Sequence, residues 1–141
     1  MYTTPFKLTV VTPVRTAIDE TVTSVIVPVA DGYLGILANH APMMTVMRIG
    51  HLEYETVDGV REVAAVTNGF VEVADNKVTV LADAAEKHDE INVARAKQSL
   101  ERAEKRLGEG RPDIDIERAR AAYERAKNRL IIAQRTSQTM K

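Results

Sequence analysis

Cysteine and tryptophan are both missing from this 141-residue chain, which carries only two phenylalanines and four tyrosines. Without cysteine there is no disulfide framework and no thiolate zinc site, a pattern that fits a reducing compartment. No stretch approaches the roughly 18 uncharged apolar residues of a membrane-spanning helix, and residues 1–7 lack the basic-then-apolar order of a secretory leader. The expectation is a soluble chain that does not insert in a membrane. Histidines number three, His40, His51 and His88, and none has a partner at metal-ligand spacing. His88-Asp89-Glu90 are consecutive, so the three cannot all face one ion from a helix. No Walker loop, GxGxxG or nucleophile elbow occurs, and no nucleophile–base pair can be named. The reading is of a non-catalytic protein with no metal site.

A strong net charge is missing too, since the formal total is −1. That balance hides a split. Residues 1–86 hold 5 Lys and Arg against 11 Asp and Glu, whereas residues 87–141 hold 14 against 9. The basic end calls for an acidic partner: nucleic acid, an acidic protein surface, or the chain's own acidic portion. The plainer alternative is a solvated face of Arg and Lys whose stems cover an apolar seam.

The two portions also differ in period. In the last third, Val93, Ala96, Leu100, Ala103 and Leu107, then Ile116, Ala119, Tyr123, Ala126, Leu130 and Ala133, recur at spacings of three and four. This predicts two amphipathic helices, over about 91–107 and 114–134, with a narrow small-residue seam. Asp89 and Asn92 are alternative caps for the first helix, Asp113 and Asp115 for the second. Between them, Gly108-Glu109-Gly110-Arg111-Pro112 breaks the pattern. Thr136 to Lys141 reads as a frayed tail.

The first part instead shows short β-branched runs between Gly, Pro, Asp and Asn. Strands are expected around Phe6–Val10, Val22–Val29, Leu52–Val57, Val60–Val66, Phe70–Ala74 and Lys77–Leu81. Asp58-Gly59 and Asp75-Asn76 are read as two-residue hairpin turns, the former of type I′. The fold class is therefore α+β in two parts: an antiparallel β-sandwich or flattened barrel over 1–86, then an antiparallel two-helix hairpin over 87–141. Tyr33, Met43, Met44 and Met47 form a soft cluster around a turn, as contact surface or core filler.

Alanine seams bury little, so the hairpin needs help from the sandwich or from a ligand. Its residues also repeat a pattern: Ile91-Asn92-Val93-Ala94-Arg95-Ala96 and Ile114-Asp115-Ile116-Glu117-Arg118-Ala119. Across antiparallel helices, Arg125 and Arg129 can join Arg95 and Arg102 around a phosphate chain. The competing function is a basic helical-hairpin scaffold for nucleic acid or protein. Against nucleic acid, the hairpin's one aromatic, Tyr123, lies on the seam and cannot stack a base.

Gly32-Tyr33-Leu34-Gly35-Ile36 leading to Asn39-His40-Ala41-Pro42, then Thr67-Asn68-Gly69-Phe70-Val71-Glu72-Val73, then Asn76-Lys77-Val78-Thr79-Val80-Leu81-Ala82-Asp83, stand in an order and spacing that resemble the epsilon subunit of bacterial F-type ATP synthases. The similarity covers essentially the whole chain. It implies a ten-stranded sandwich with a two-helix domain, in a central-stalk subunit that transmits rotation, restrains wasteful ATP hydrolysis and does not itself catalyse. It implies as partners the gamma subunit, the membrane c-ring and, when the arm extends, the alpha and beta subunits, at the cytoplasmic face of the bacterial plasma membrane.

Through that resemblance, Asp31, Gly32, Tyr33 and Leu34 correspond to the loop that meets the c-ring, and His40 to the part that faces gamma. Arg118, Arg120, Arg125, Lys127 and Arg129 become candidates for the contact of the extended arm with beta. Some members of the family bind ATP as a regulatory ligand, with no cofactor required. The matching positions are Glu86, Ile91, Asn92, Arg95, Ala96, Arg102, Arg125 and Arg129. Asn92 stands where the family motif has Asp, which keeps an acceptor and loses a charge. The Ile114–Ala119 repeat is helix-start similarity, outside the family's site.

Overall fold

The computed structural model describes residues 4–135 and 138–139. Seven strands come first: β1 (Phe6–Val11), β2 (Thr16–Val29), β3 (Gly32–Ile36), β4 (Met43–Met47), β5 (Gly50–Thr56), β6 (Val60–Ala74) and β7 (Lys77–Lys87). A 3-10 turn (His88–Glu90) leads to α1 (Val93–Glu109) and α2 (Ile116–Ala133), and a two-residue strand β8 (Gln138–Thr139) follows. Sandwich and helical hairpin are present as the periodicities require.

Ten expected strands become seven because three of them run through both layers. In β2 the inward side chains are Ile18 and Val22, then Val25 and Val27, and the even-to-odd switch coincides with the register shift between Val22 and Ser24. β6 turns Ala64 and Val66 inward, then Val71 and Val73; β7 turns Val78, Val80 and Ala82 inward, then Ala85. A strand shows one parity to one core, so each switch marks a bend from one layer to the other. Counting the halves of β2, β6 and β7 separately restores ten.

The bend in β6 has a specific cause. Asn68 and Gly69 both have positive φ, 40° and 147°. A Cβ on Gly69 would lie 1.8 Å from the Leu81 carbonyl oxygen of β7. Only glycine lets the two backbones pass there.

β1 pairs antiparallel with β2 but parallel with β7, which closes a ring of β1, β7, β6, β5 and β2. One parallel pairing thus departs from the all-antiparallel expectation. Closure removes the free edges of those five strands. The core within is aliphatic, with Leu8, Val10, Val22, Val25, Val27, Leu52, Val66, Val71 and Val80 fully buried around Tyr54.

Both hairpin turns differ in kind. Asp75 and Asn76 each have positive φ, as a two-residue I′ turn between Ala74 and Lys77 requires. At Asp58-Gly59 only the glycine does. There Gly59 N–H donates to Thr56 O at 3.0 Å and Val60 N–H to the Thr56 hydroxyl at 3.2 Å, so a three-residue turn ending in a left-handed glycine replaces the expected I′ turn. The methionines stand on β4 rather than around a turn: Met47 is core, Met43 packs against it, and Met44 is exposed.

In the hairpin, Ala96, Ala103, Ala119 and Ala126 are buried, whereas Val93 and Ile116, read as seam residues, are exposed. Each stands at the first position of its helix. Ile91 precedes α1, and Ile132, outside the predicted seam, joins it in a small cluster with Val63 and Ala65 of β6. The tail expected to fray is in part paired, Gln138 and Thr139 standing opposite Arg61 and Val60; its other residues, 136–137 and 140–141, lie outside the described ones.

Candidate functional site

Three surfaces carry the residues singled out in the sequence. The first lies at the start of α1. Asn92 caps the helix, its Oδ1 accepting from Arg95 N–H at 3.0 Å, and Asp115 does the same for Arg118 at the start of α2. The repeated six-residue pattern is therefore a helix-start signature: cap, third-position Arg, then a seam alanine. Asn and Asp are nearly equal as caps, so Asn92 keeps the local geometry. α2 has Glu117 in its first turn, while α1 has no acidic residue there. The positive end of the α1 dipole is left with less compensation.

Glu86 of β7, Asn92, Arg95, Ala96 and Arg129 of α2 line one recess of about 140 Å³. Arg129 Nε lies 2.7 Å from Glu86 Oε1, so the recess is closed at one side by an ion pair between hairpin and sandwich. Ile91 points away, into the apolar cluster below. Arg102 is two turns further along α1, bonded to Ser99 at 3.4 Å, and lines a separate hollow with Ala103, Arg106 and Ala119. Arg125 is half-buried one turn before Arg129. Four of the eight motif positions, Glu86, Asn92, Arg95 and Arg129, thus bring polar groups to one place, with Ala96 as its floor.

Further polar ties join hairpin and sandwich among the described residues, His88 Nε2 standing 3.5 Å from Glu62 Oε2. Asn128 donates to Gly50 O at 2.7 Å, and Arg135 Nη2 reaches Glu53 Oε1 at 2.6 Å. At the junction, Arg15 holds Glu90 in a two-pronged contact and donates to Ala85 O at 3.0 Å. The Arg15 hydrogen bond keeps the Glu90 carboxyl below its ordinary range, against a smaller opposing effect of burial. Arg118, Arg120 and Lys127 are exposed, and the Lys127 ammonium stands 5.8 Å from the Tyr123 ring centroid.

The second surface is the β2–β3 loop. Asp31 is exposed, and the ring of Tyr33 stacks on His51 with centroids 4.5 Å apart. Arg48 covers the same ring at 4.9 Å while donating to the carbonyls of Val29, Gly32 and Ile49. These bonds stiffen the loop from beneath. Gly50 makes the approach possible, because a Cβ there would fall 2.7 Å from that of Pro28.

A third surface was missed in the sequence. Val46, Phe70 and Leu81 stand opposite one another on β4, β6 and β7, all more than half exposed, with Met44 on the neighbouring rung. The row is contiguous across three strands, unlike scattered surface apolar residues. His40, its Nδ1 donating to Ala41 O at 2.8 Å, lies in the loop that enters β4. Alternation of apolar residues on both faces of Phe70–Val73 and Val78–Leu81 was the available signal.

A closed sandwich that shows an apolar face, joined to a basic hairpin docked by a few polar ties, defines a two-domain binding chain. Residues 5–88 match the ATP synthase delta/epsilon chain beta-sandwich domain, and residues 89–134 the long alpha-helix domain of the same chain. The chain belongs to the delta/epsilon family of ATP synthase chains. It is 54% identical over 102 residues to the ATP synthase epsilon chain of Symbiobacterium thermophilum, covering 72% of this chain and 73% of that one. To the epsilon chain of Carboxydothermus hydrogenoformans it is 52% identical over 106 residues, 75% of this chain and 78% of the other. Its fold superposes on a chain from the cryo-EM structure of the Euglena gracilis mitochondrial ATP synthase, with OSCP, F1 and c-ring, at a TM-score of 0.76. That match spans 91% of this chain and 81% of that one at 21% identity, so it speaks to fold.

Proposed function

We propose that this chain is a non-catalytic rotor subunit in the central stalk of a proton-translocating F-type ATP synthase, its sandwich the fixed platform and its hairpin a mobile arm that restrains ATP hydrolysis. Family membership supplies the complex. The observation that carries the arm's role is the Arg129–Glu86 pair at 2.7 Å. In the docked hairpin Arg129 is taken up by the sandwich; undocked, it joins Arg118 and Arg125 on one basic face of α2, with Arg120 and Lys127 on the opposite side. Such a face suits an acidic segment of the alpha and beta subunits, where opposite charges hold the arm against rotation.

The exposed row of Met44, Val46, Phe70 and Leu81, with His40 at its margin, is the seat for the gamma subunit. A covered apolar patch is what a permanent stalk contact needs. The braced loop of Asp31, Gly32, Tyr33 and Leu34 meets the c-ring, placing the chain peripherally at the cytoplasmic face of the bacterial membrane. No described helix is long and apolar enough to cross a membrane.

ATP is the regulatory ligand of the recess at Glu86, Asn92, Arg95 and Arg129, where phosphates meet two guanidinium groups and the uncompensated helix start. Binding there holds the hairpin docked, because the recess is built from both domains. Neutralising Arg118, Arg120, Arg125, Lys127 and Arg129 in the reconstituted complex is expected to raise ATPase activity; unchanged activity overturns the arm's role. Calorimetric titration of ATP into the full chain checks the ligand. Binding is expected, and loss on Arg95→Ala places it in this recess, while no binding to the natural chain removes ATP from the account.

A further inference from the structure

Glu53 of β5 is a heavily subscribed carboxylate. Its side chain is only 12% exposed, and three cationic or potentially cationic groups converge on it. Arg135, just beyond α2, reaches Oε1 at 2.6 Å. Arg61 of β6 stands 3.5 Å from Oε2. His51 Nε2 points at Oε1 from 3.6 Å, the same oxygen that Arg135 holds. On its other side, His51 Nδ1 meets the Tyr33 hydroxyl at 3.0 Å. With that hydroxyl donating to Nδ1, the single proton of the neutral ring sits on Nε2, toward Glu53.

We propose that docking of the hairpin and protonation of His51 compete for one oxygen, Glu53 Oε1, so that acidification releases the arm from the sandwich. The inference rests on the reading of the hairpin as a mobile arm. With Arg135 in place, an imidazolium at position 51 faces an oxygen already paired, beside two guanidinium groups, Arg135 and the Arg48 that covers Tyr33. With Arg135 withdrawn, the same imidazolium has Oε1 to itself. Burial holds the His51 ring below its usual value, and the neighbouring Arg135 and Arg48 act in the same direction against Glu53. Docking therefore favours the neutral ring, and by reciprocity the charged ring disfavours docking.

Sign and range follow directly. A group whose value is lower in the docked state binds its proton preferentially in the undocked one, so docking is strongest above the ordinary histidine range and weakens as pH falls through it. Protonation at Nδ1 also forces the Tyr33 hydroxyl from donor to acceptor. The change at the arm is thereby felt in the loop assigned to the c-ring.

The absence of native cysteine makes the test clean. A donor–acceptor dye pair on Asp58→Cys and Lys105→Cys, both exposed and on different domains, reads docking in the full chain. Between pH 7.5 and 5.5 the docked-to-undocked ratio is expected to fall about threefold or more. His51→Gln should abolish this change. The His51 ring, followed by NMR, should titrate at higher pH in Arg135→Gln. A ratio that does not move with pH, or that still moves in His51→Gln, overturns the competition while leaving a mobile arm intact. A hairpin that stays docked at every pH, even in Arg129→Ala with Arg135→Gln, overturns both.

Discussion

The sandwich and the hairpin use opposite means of holding together. The sandwich closes five strands into a ring around branched aliphatic side chains, so every part of its core depends on strands distant in sequence. The hairpin closes on four alanines, each adding little buried area, and leans on the sandwich through Ile91, Ile132 and a few polar ties. A core of the first kind fails all at once; a contact of the second kind parts without unfolding either side. A rotor subunit with a fixed seat and a movable arm needs both.

The contrast is broken most severely at the sandwich's own crossing. Gly69→Ala forces a Cβ against the Leu81 carbonyl at a φ that L-residues avoid, so a loss of more than about 3 kcal/mol is expected, read as collapse of the urea transition of the whole chain. Leu52→Ala should cost about 2–5 kcal/mol of global stability by the same measurement.

Ile132→Ala sharpens the comparison. It removes an equally buried side chain, yet the expected effect is a shift of about 2 kcal/mol toward undocking with the sandwich transition unmoved. Dye-pair docking together with urea unfolding separates the two. Asn92→Ala should cost about 1 kcal/mol of α1 stability, whereas Asn92→Asp should stay within a few tenths, as read by circular dichroism on the full chain.

The smallest effect is expected at Arg15–Glu90. Glu90 is depressed in the folded state, so its contribution is present above the ordinary carboxylate range and lost as pH falls through its lower folded value. The pair is more than a third exposed on both sides, so solvent screening keeps it at about 0.5 kcal/mol or less. An Arg15→Met chain should show a correspondingly shallower acid limb in its stability profile.

Much of this architecture is written in period. The three-four spacing of alanines and the alternation of β-branched residues separate the two domains, because burial on one face imposes those repeats. The bends in β2, β6 and β7 are harder to read: a strand that changes layers keeps its alternation but flips its parity, and only Asn68-Gly69 advertises the change. β4 escaped notice because Met43-Met44-Thr45-Val46-Met47 is apolar on both faces, one for the core and one for the outer row. The recess at Glu86, Asn92, Arg95 and Arg129 came from the resemblance, since its residues span 44 positions and only folding brings them together. Of the Glu53 cluster only His51, two residues away on the same strand, is local, while Arg61 and Arg135 reach it from β6 and from beyond α2.

Native-state amide hydrogen exchange on the full chain tests the division most directly. The account predicts two tiers: amides of α1 and α2 open together at a free energy well below that of β2, β6 and β7, and Ile132→Ala lowers the first tier alone. A single opening free energy shared by helices and strands, lowered throughout by Ile132→Ala, would contradict it.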